Sequence, residues 1–401
     1  VSAVISKALT AAQEELRSVI TDRRLLVCVG SGGVGKTTTA AAIAIQAAIE
    51  GRRAIVVTID PAKRLANSLG LEALGNEEKE ISLDRFAAHG VEAKGTLHAM
   101  MLDTERTFDD LIERMAKDEA SRDRVLNNRI YQHISDTLSA SHDYMASEKL
   151  YDLHHSGKYD LVVLDTPPMK NAIDFLEASG KLTRFLDDRI VSWFLKPHEG
   201  ERRLGMSLLQ APGAIVYKLL GNIFGSEFLD EIAEFFLATA DMLSGFRERA
   251  EIVSKLLRDK ELTRFAIVCT PRSTSMEEAR YFHQQLVERG MPGNLFVVNQ
   301  VGRFGEARRG EDQRYLSGSD RAWVKSSLEG RATERQLTGF VEKLEGHFDR
   351  WVAIAQDDVK AIEGLRAYAG RRAHVGIVPR LPEDVHDLAG LLALDAHLFG
   401  G

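Results

Sequence analysis

Three unlike segments follow one another without a break between residues 25 and 49. They are an apolar run, Leu25–Val29, a glycine-rich octapeptide, Gly30–Thr37, and a helix-forming stretch, Thr38–Ile49, rich in Ala and Ile. The octapeptide, Gly30-Ser31-Gly32-Gly33-Val34-Gly35-Lys36-Thr37, fits GxxxxGK(S/T) and has the strand–loop–helix setting this pattern needs. Its glycines let backbone N–H groups curl around phosphates, and the start of the helix adds the positive end of a dipole. Lys36 would neutralise charge on the β- and γ-phosphates, while the Thr37 hydroxyl would ligate Mg²⁺. Gly30 through Thr38 is therefore the expected binding segment for ATP.

The rest of the chain repeats the alternation of short apolar runs with helical patterns, the signature of a parallel sheet wrapped by helices. Strands are expected at Leu25–Val29, Ala54–Ile59, Leu97–Met101, Leu161–Leu164, Phe265–Cys269, Leu295–Val298 and His374–Val378. Apolar side chains at consecutive positions mark strands covered on both faces. The fold class is thus α/β, a doubly wound, mainly parallel P-loop NTPase core in a single domain, 1–401. Connections in such folds are short, so the long helical stretches between strands read as insertions forming one helical subdomain, at about 103–155 and 182–260. Gly302–Ala332, polar and rich in Arg, Gly and Asp, is expected to be a long surface loop, followed by a helix over roughly Glu334–Tyr368.

Tyr159–Asp165 reads as a buried strand ending in a carboxylate, the pattern of a Walker B segment, so Asp165 is the second expected Mg²⁺ holder, through a water. The formal net charge of -7 and pI near 6.0 argue against nucleic acid, whose binding domains are usually basic. Cys28 and Cys269 sit in apolar runs and no CxxC exists. Buried thiols in a reducing cytosol are the expectation, and the clustered thiolates that a soft metalloid such as arsenite needs are missing. The N-terminal stretch lacks a signal-peptide layout. Met206–Phe224, the nearest approach to a membrane span, is interrupted by Pro212, Gly213, Lys218 and Gly221. A cytoplasmic protein without a direct membrane span is expected.

At Thr58-Ile59-Asp60-Pro61-Ala62 and Asp165-Thr166-Pro167-Pro168 the chain resembles the ArsA-type ATPases. That family includes arsenical pump-driving ATPases and cytosolic targeting factors for tail-anchored membrane proteins. The resemblance extends through Val297-Val298-Asn299-Gln300 and the late Pro379-Arg380-Leu381-Pro382-Glu383-Asp384-Val385. Four motifs in the right order cover most of the nucleotide core. The chain looks like bacterial members described as anion-transporting ATPases, some of which occur as pairs of related subunits. The resemblance implies that Asp60 lies in the first switch segment, that Asn299 contacts adenine, and that Leu381, Pro382 and Glu383 wall the base. The Asn299 amide suits adenine by supplying both a donor and an acceptor; a plain strand-end turn residue is the other reading of it.

The departures from the family pattern carry as much information. Members that hydrolyse ATP across a dimer usually have Lys at the second loop position, where this chain has Ser31. They carry a water-positioning Asp where this chain has Asn67, and often His in the second switch, where it has Asn171. General-base assistance is worth about 10²–10⁴-fold, and a cation on the transferring phosphoryl group about 10³–10⁵-fold. With Lys36, Thr37 and Asp165 kept, ATP affinity should survive while turnover by the catalytic set Lys36, Asp60, Asn67 and Asp165 slows. Lys63 or Arg64 reaching the γ-phosphate is the alternative.

In the family the extra Lys serves the opposite subunit, so the expected assembly is a homodimer or a heterodimer with a related ATPase subunit. Two apolar faces, Met206–Phe224 and Leu229–Leu256, recur at helical spacing. They either form a groove for a hydrophobic client helix or pack on each other as the subdomain's own core. The functional expectation is a slow, dimeric, ATP-gated switch; the alternative is a catalytically impaired, nucleotide-bound scaffold beside an active relative. A DNA- or membrane-positioning ATPase ranks below both, because Leu391–Gly401 has no Lys or Arg.

Overall fold

The computed structural model describes residues 2–59, 64–82, 84–103, 142–168, 172–177, 247–302, 316–328, 333–370 and 372–400, with a few isolated positions besides. Eight strands form one sheet: β1 (Leu25–Gly30), β2 (Arg53–Thr58), β3 (Lys79–Ile81), β4 (Thr96–Met101), β5 (Leu161–Asp165), β6 (Thr263–Cys269), β7 (Leu295–Val301) and β8 (His374–Pro379). Their order is β3-β4-β2-β5-β1-β6-β7-β8. Every pairing is parallel except that of β3 with β4. All seven strands expected from the apolar runs are present, six of them longer by one to three residues and β2 shifted by one, starting at Arg53 and ending at Thr58. The antiparallel edge strand β3 was not expected, because Lys79-Glu80-Ile81 offers neither an apolar run nor enough residues for a visible alternation.

The described helices are α1 (Ser2–Asp22), α2 (Lys36–Ile49), α3 (Arg64–Ser68), α4 (Asp84–Ala87), α5 (His142–His155), α6 (Ser273–Glu288), α7 (Gly318–Ser327), α8 (Glu334–Ala369) and α9 (Leu388–Phe399). Successive residues of each central strand point to opposite faces, and two cores result. Val27, Val57, Leu164, Ile267 and Phe296 join Leu150 of α5, Phe282 of α6 and Leu365 of α8 on one face. Leu26, Val56, Val163, Val268 and Val297 join Leu16 of α1, Ile43 of α2 and Leu391 of α9 on the other. Burial on both faces is what made the strands legible as continuous apolar runs.

A correction falls within Gly302–Ala332, expected to be loop. Part of it is α7, whose start is fixed by a capping box in which Ser317 and Asp320 each satisfy the other's backbone N–H. No residue of α7 is buried, so there is no apolar stripe for a sequence reading to find. Helix α8 lies where a helix was expected, and Thr333 with Gln336 caps it in the same way.

Of the predicted insertions, only the flanks are described. Met145, Leu150 and Leu153 of α5, and Val253, Leu256 and Leu257 of the helical residues 247–258, belong to the sheet's own core. The two flanks are joined by Arg249 Nε and Glu148 Oε2 at 2.6 Å, with Glu148 buried. The apolar face Met206–Phe224 lies outside the described residues. So does the face from Leu229 to Phe246, whereas Leu256 at its end is buried in the core. Among the described residues no helix is long and apolar enough to cross a membrane. Cys28 and Cys269 are free and buried, and they sit in the cores of opposite faces. Burial raises both thiols, that of Cys269 to about 12, so neither offers a thiolate.

Candidate functional site

The glycine-rich loop leaves the carboxyl end of β1 at the centre of the sheet, between β5 and β6. The order in which strands are added reverses there: β5, β2 and β4 lie on one side of β1, and β6, β7 and β8 on the other. A crevice outside the strand ends at such a switch point is the usual ligand site of an open α/β sheet. Two glycines make the loop's path possible. Gly30, at φ +156, lies so near β6 that a Cβ would stand 2.1 Å from the Val268 carbonyl oxygen. Gly35 has φ +96 as the residue before α2, and a Cβ there would meet Asn299 Nδ2 at 2.3 Å.

Beneath the loop, the first turn of α2 meets the end of β5. Thr37 Oγ1 donates to Asp165 Oδ2 at 2.7 Å, and Thr58 Oγ1 of β2 donates to the same oxygen at 3.0 Å. Asp165 and Thr58 are buried. The parallel register of β2 with β5, which pairs Thr58 with Asp165, brings that second hydroxyl in. A hydroxyl and a carboxylate converging here form a hard-oxygen set, the type that suits Mg²⁺ rather than a soft metal. Lys36 is buried and turns back on its own loop, Nζ donating to the Ser31 carbonyl at 2.8 Å. The Ser31 hydroxyl in turn donates to a carboxylate oxygen of Glu278 on α6.

The loop opens onto a cleft of about 810 Å³, within the range of about 300–1,000 Å³ typical of small-molecule sites. Gly32, Gly33, Gly35, Lys36, Thr37 and Thr38 form one wall. The segment from Pro379 to His386, with Pro382 and Glu383, also lines the cleft, as does Asn299. Asn299 Nδ2 donates to the Val34 carbonyl at 2.9 Å and Oδ1 accepts from the Gln300 N–H at 2.9 Å. One amide hydrogen and one oxygen lone pair remain after these bonds. The pairing of β7 with β8 is irregular between Val298 and Val301, and Gln300 takes φ +60. A bulge of this kind re-aims a side chain, and here it falls on the residue that bridges the strand end to the loop. A second cleft, lined by the exposed Trp351 and Ile354, lies against the same Arg380–Pro382 segment.

Most of the residues expected to act together do meet. Gly32, Gly33, Gly35, Lys36, Thr37, Thr38, Asn67, Asn299, Pro382 and Glu383 all line the one cleft, with Asp165 on Thr37 beneath it. Arg64, weighed as a substitute cation, lines it too. Asp60, Lys63 and Asn171 lie outside the described residues. Three residues in or near the cleft, among others, were not anticipated. Thr58 sat unassigned beside Asp60 in a motif already noticed, Arg272 lines the mouth, and Glu278 reaches Ser31 from far along the chain with no motif to announce it.

Known proteins share much of this sequence. The profile of the anion-transporting ATPase family, ArsA type, matches residues 23–317, well over half of the chain. The ATPase get3 of Aspergillus terreus is 25% identical over 295 residues, which covers 72% of this chain and 77% of that protein. The ATPase GET3 of Komagataella phaffii is 25% identical over 305 residues, with the same shares covered. That of Podospora anserina is 25% identical over 302 residues, covering 75% of this chain and 80% of the relative.

Proposed function

Because this chain belongs to the ArsA-type family of anion-transporting ATPases, we propose that it is an ATP-dependent switch working in the cytosol. It is an ATPase, as its family and relatives are. In the proposed cycle it binds Mg-ATP in the cleft at the end of β1, hydrolyses it slowly, and acts as a dimer whose opening and closing engage a hydrophobic client or a partner subunit.

The observation that carries this reading is the 2.7 Å contact of Thr37 with Asp165 under a loop that also holds Lys36. In the proposed roles Lys36 leaves the Ser31 carbonyl for the β- and γ-phosphates. The loop's N–H groups bind the remaining phosphate oxygens, aided by the dipole of α2. Thr37 and Asp165 would hold Mg²⁺, which when bound neutralises phosphate charge. Asn299 and the Pro382–Glu383 segment would receive the base. Asp60 belongs to the same proposed site through its place after β2. Asn67 can orient a water but cannot take its proton, so the chemical step should be slow.

Asn67 and Ser31 also favour a second reading, in which the chain is a nucleotide-holding scaffold that stabilises a related, active subunit. Steady-state phosphate release from the purified protein with Mg-ATP, beside a Lys36→Ala control, separates the two. Turnover that disappears in the control supports the switch. ATP binding without turnover supports the scaffold, and absence of ATP binding would sink both.

A further inference from the structure

Glu278 belongs to none of the sequence motifs, yet it touches the phosphate loop. Its carboxylate accepts the hydroxyl hydrogen of Ser31. Ser31 is also held by its main chain, through Lys36 Nζ at 2.8 Å. These two restraints respond differently to a nucleotide. In the proposed cycle Lys36 gives up the Ser31 carbonyl for phosphate oxygens, whereas the bond to Glu278 faces α6 and can remain. The next two residues stand beside open space: a Cβ placed on Gly32 or Gly33 would meet nothing within 4 Å. Glycines lose the most conformational freedom on ordering, so a loop built from them profits most from a fixed point.

Helix α6 can serve as that point. Ser275, Met276, Ala279, Phe282 and Leu286 bury its inner side in the core, and Arg289 at its end is paired with Glu177. A hydroxyl donating to a carboxylate is a charge-assisted bond, stronger than a neutral one. We propose that Glu278 is a positioning residue for nucleotide binding, anchoring Ser31 to α6 so that the loop keeps its shape once Lys36 has turned to the phosphates. The proposal rests on the ATP-binding reading above. It also gives Ser31 a task of its own in this chain: a short hydroxyl-bearing side chain reaches Glu278 without placing a second cation in the loop.

The test is the affinity for Mg-ATP by calorimetry of the wild type, Ser31→Ala, Ser31→Thr, Glu278→Ala, Glu278→Gln and the Ser31→Ala/Glu278→Ala double variant. Thermal melting of each checks that it is folded. Loss of the anchor should weaken binding by about tenfold in either alanine variant. The double variant should be no weaker than the worse single one, since both remove the same bond. Ser31→Thr and Glu278→Gln, which keep a donor and an acceptor, should recover most of the affinity. Unchanged affinity in Ser31→Ala, tighter binding in Glu278→Ala, or additive losses in the double variant would overturn the anchor alone. A wild type that does not bind Mg-ATP would overturn the ATP reading and the anchor with it.

Discussion

Asp395 offers a prediction that can be worked through from structure to number. It lies on α9, which packs over α2, the helix that carries the phosphate loop. The side chain is buried, and Oδ1 finds no hydrogen-bond partner among the described residues. Burial, and then the nearby charge of Glu50 at the end of α2, raise its pKa from 3.8 to about 7, against a smaller opposing pull from Arg17 of α1. Arg17 is itself drawn toward Glu50, at 3.8 Å, and is half exposed. The sign follows from the direction. Below the unfolded value both states hold the proton and nothing is lost. As pH rises from about 4 to 7 the unfolded chain ionises while the folded one keeps its proton, so stability falls; above about 7 the full penalty is in place. The interval between the two values corresponds to about 4 kcal/mol. Asn cannot ionise, so Asp395→Asn should gain stability over the wild type as pH rises, by about 3 kcal/mol between pH 5 and pH 8. Urea titrations of both proteins at unit steps across that range measure it. A difference that stays flat with pH would refute the assignment of a buried, protonated carboxyl at this helix junction.

Other expectations concern the cleft and its supports. Gly35→Ala puts a methyl group against Asn299 Nδ2 and a side chain at a positive φ; it should cost about 1–3 kcal/mol of stability and most of the ATP affinity, read by melting and by calorimetry. Asn67→Asp supplies a carboxylate on the cleft wall and should raise phosphate release by at least about tenfold if Asn67 sits where the attacking water is oriented. Unchanged turnover would remove Asn67 from that role. Glu148→Gln leaves Arg249 with a neutral partner in a buried site, with an expected loss of about 3 kcal/mol. The Glu148→Gln/Arg249→Met double variant should melt above the single one, and equal melting would show that the pair contributes no coupling.

How much of the molecule was legible depended on whether the information was local. Seven strands could be placed because burial on both faces writes itself as an unbroken apolar run, as in Leu25–Val29 and Phe265–Cys269. The phosphate loop could be placed because its chemistry needs fixed residue types at fixed spacing. Strand β3 and helix α7 escaped for the converse reason: an edge strand of three residues and a helix with no buried residue leave no periodic trace.

The sequence by itself determined the parallel α/β core and the phosphate-loop motif from Gly30 to Thr37. Tertiary structure alone decided which side chains meet around that loop. It placed Thr58 on Asp165 through the register of β2 with β5, turned Asn299 onto the Val34 carbonyl through the irregularity in β7, and set Glu278 of α6 on Ser31. Such contacts join residues far apart in the chain, and no local pattern specifies them. They exist because the strand order brings the ends of β1, β5, β6 and β7 to one edge of the sheet, where side chains from separate segments must share the same space.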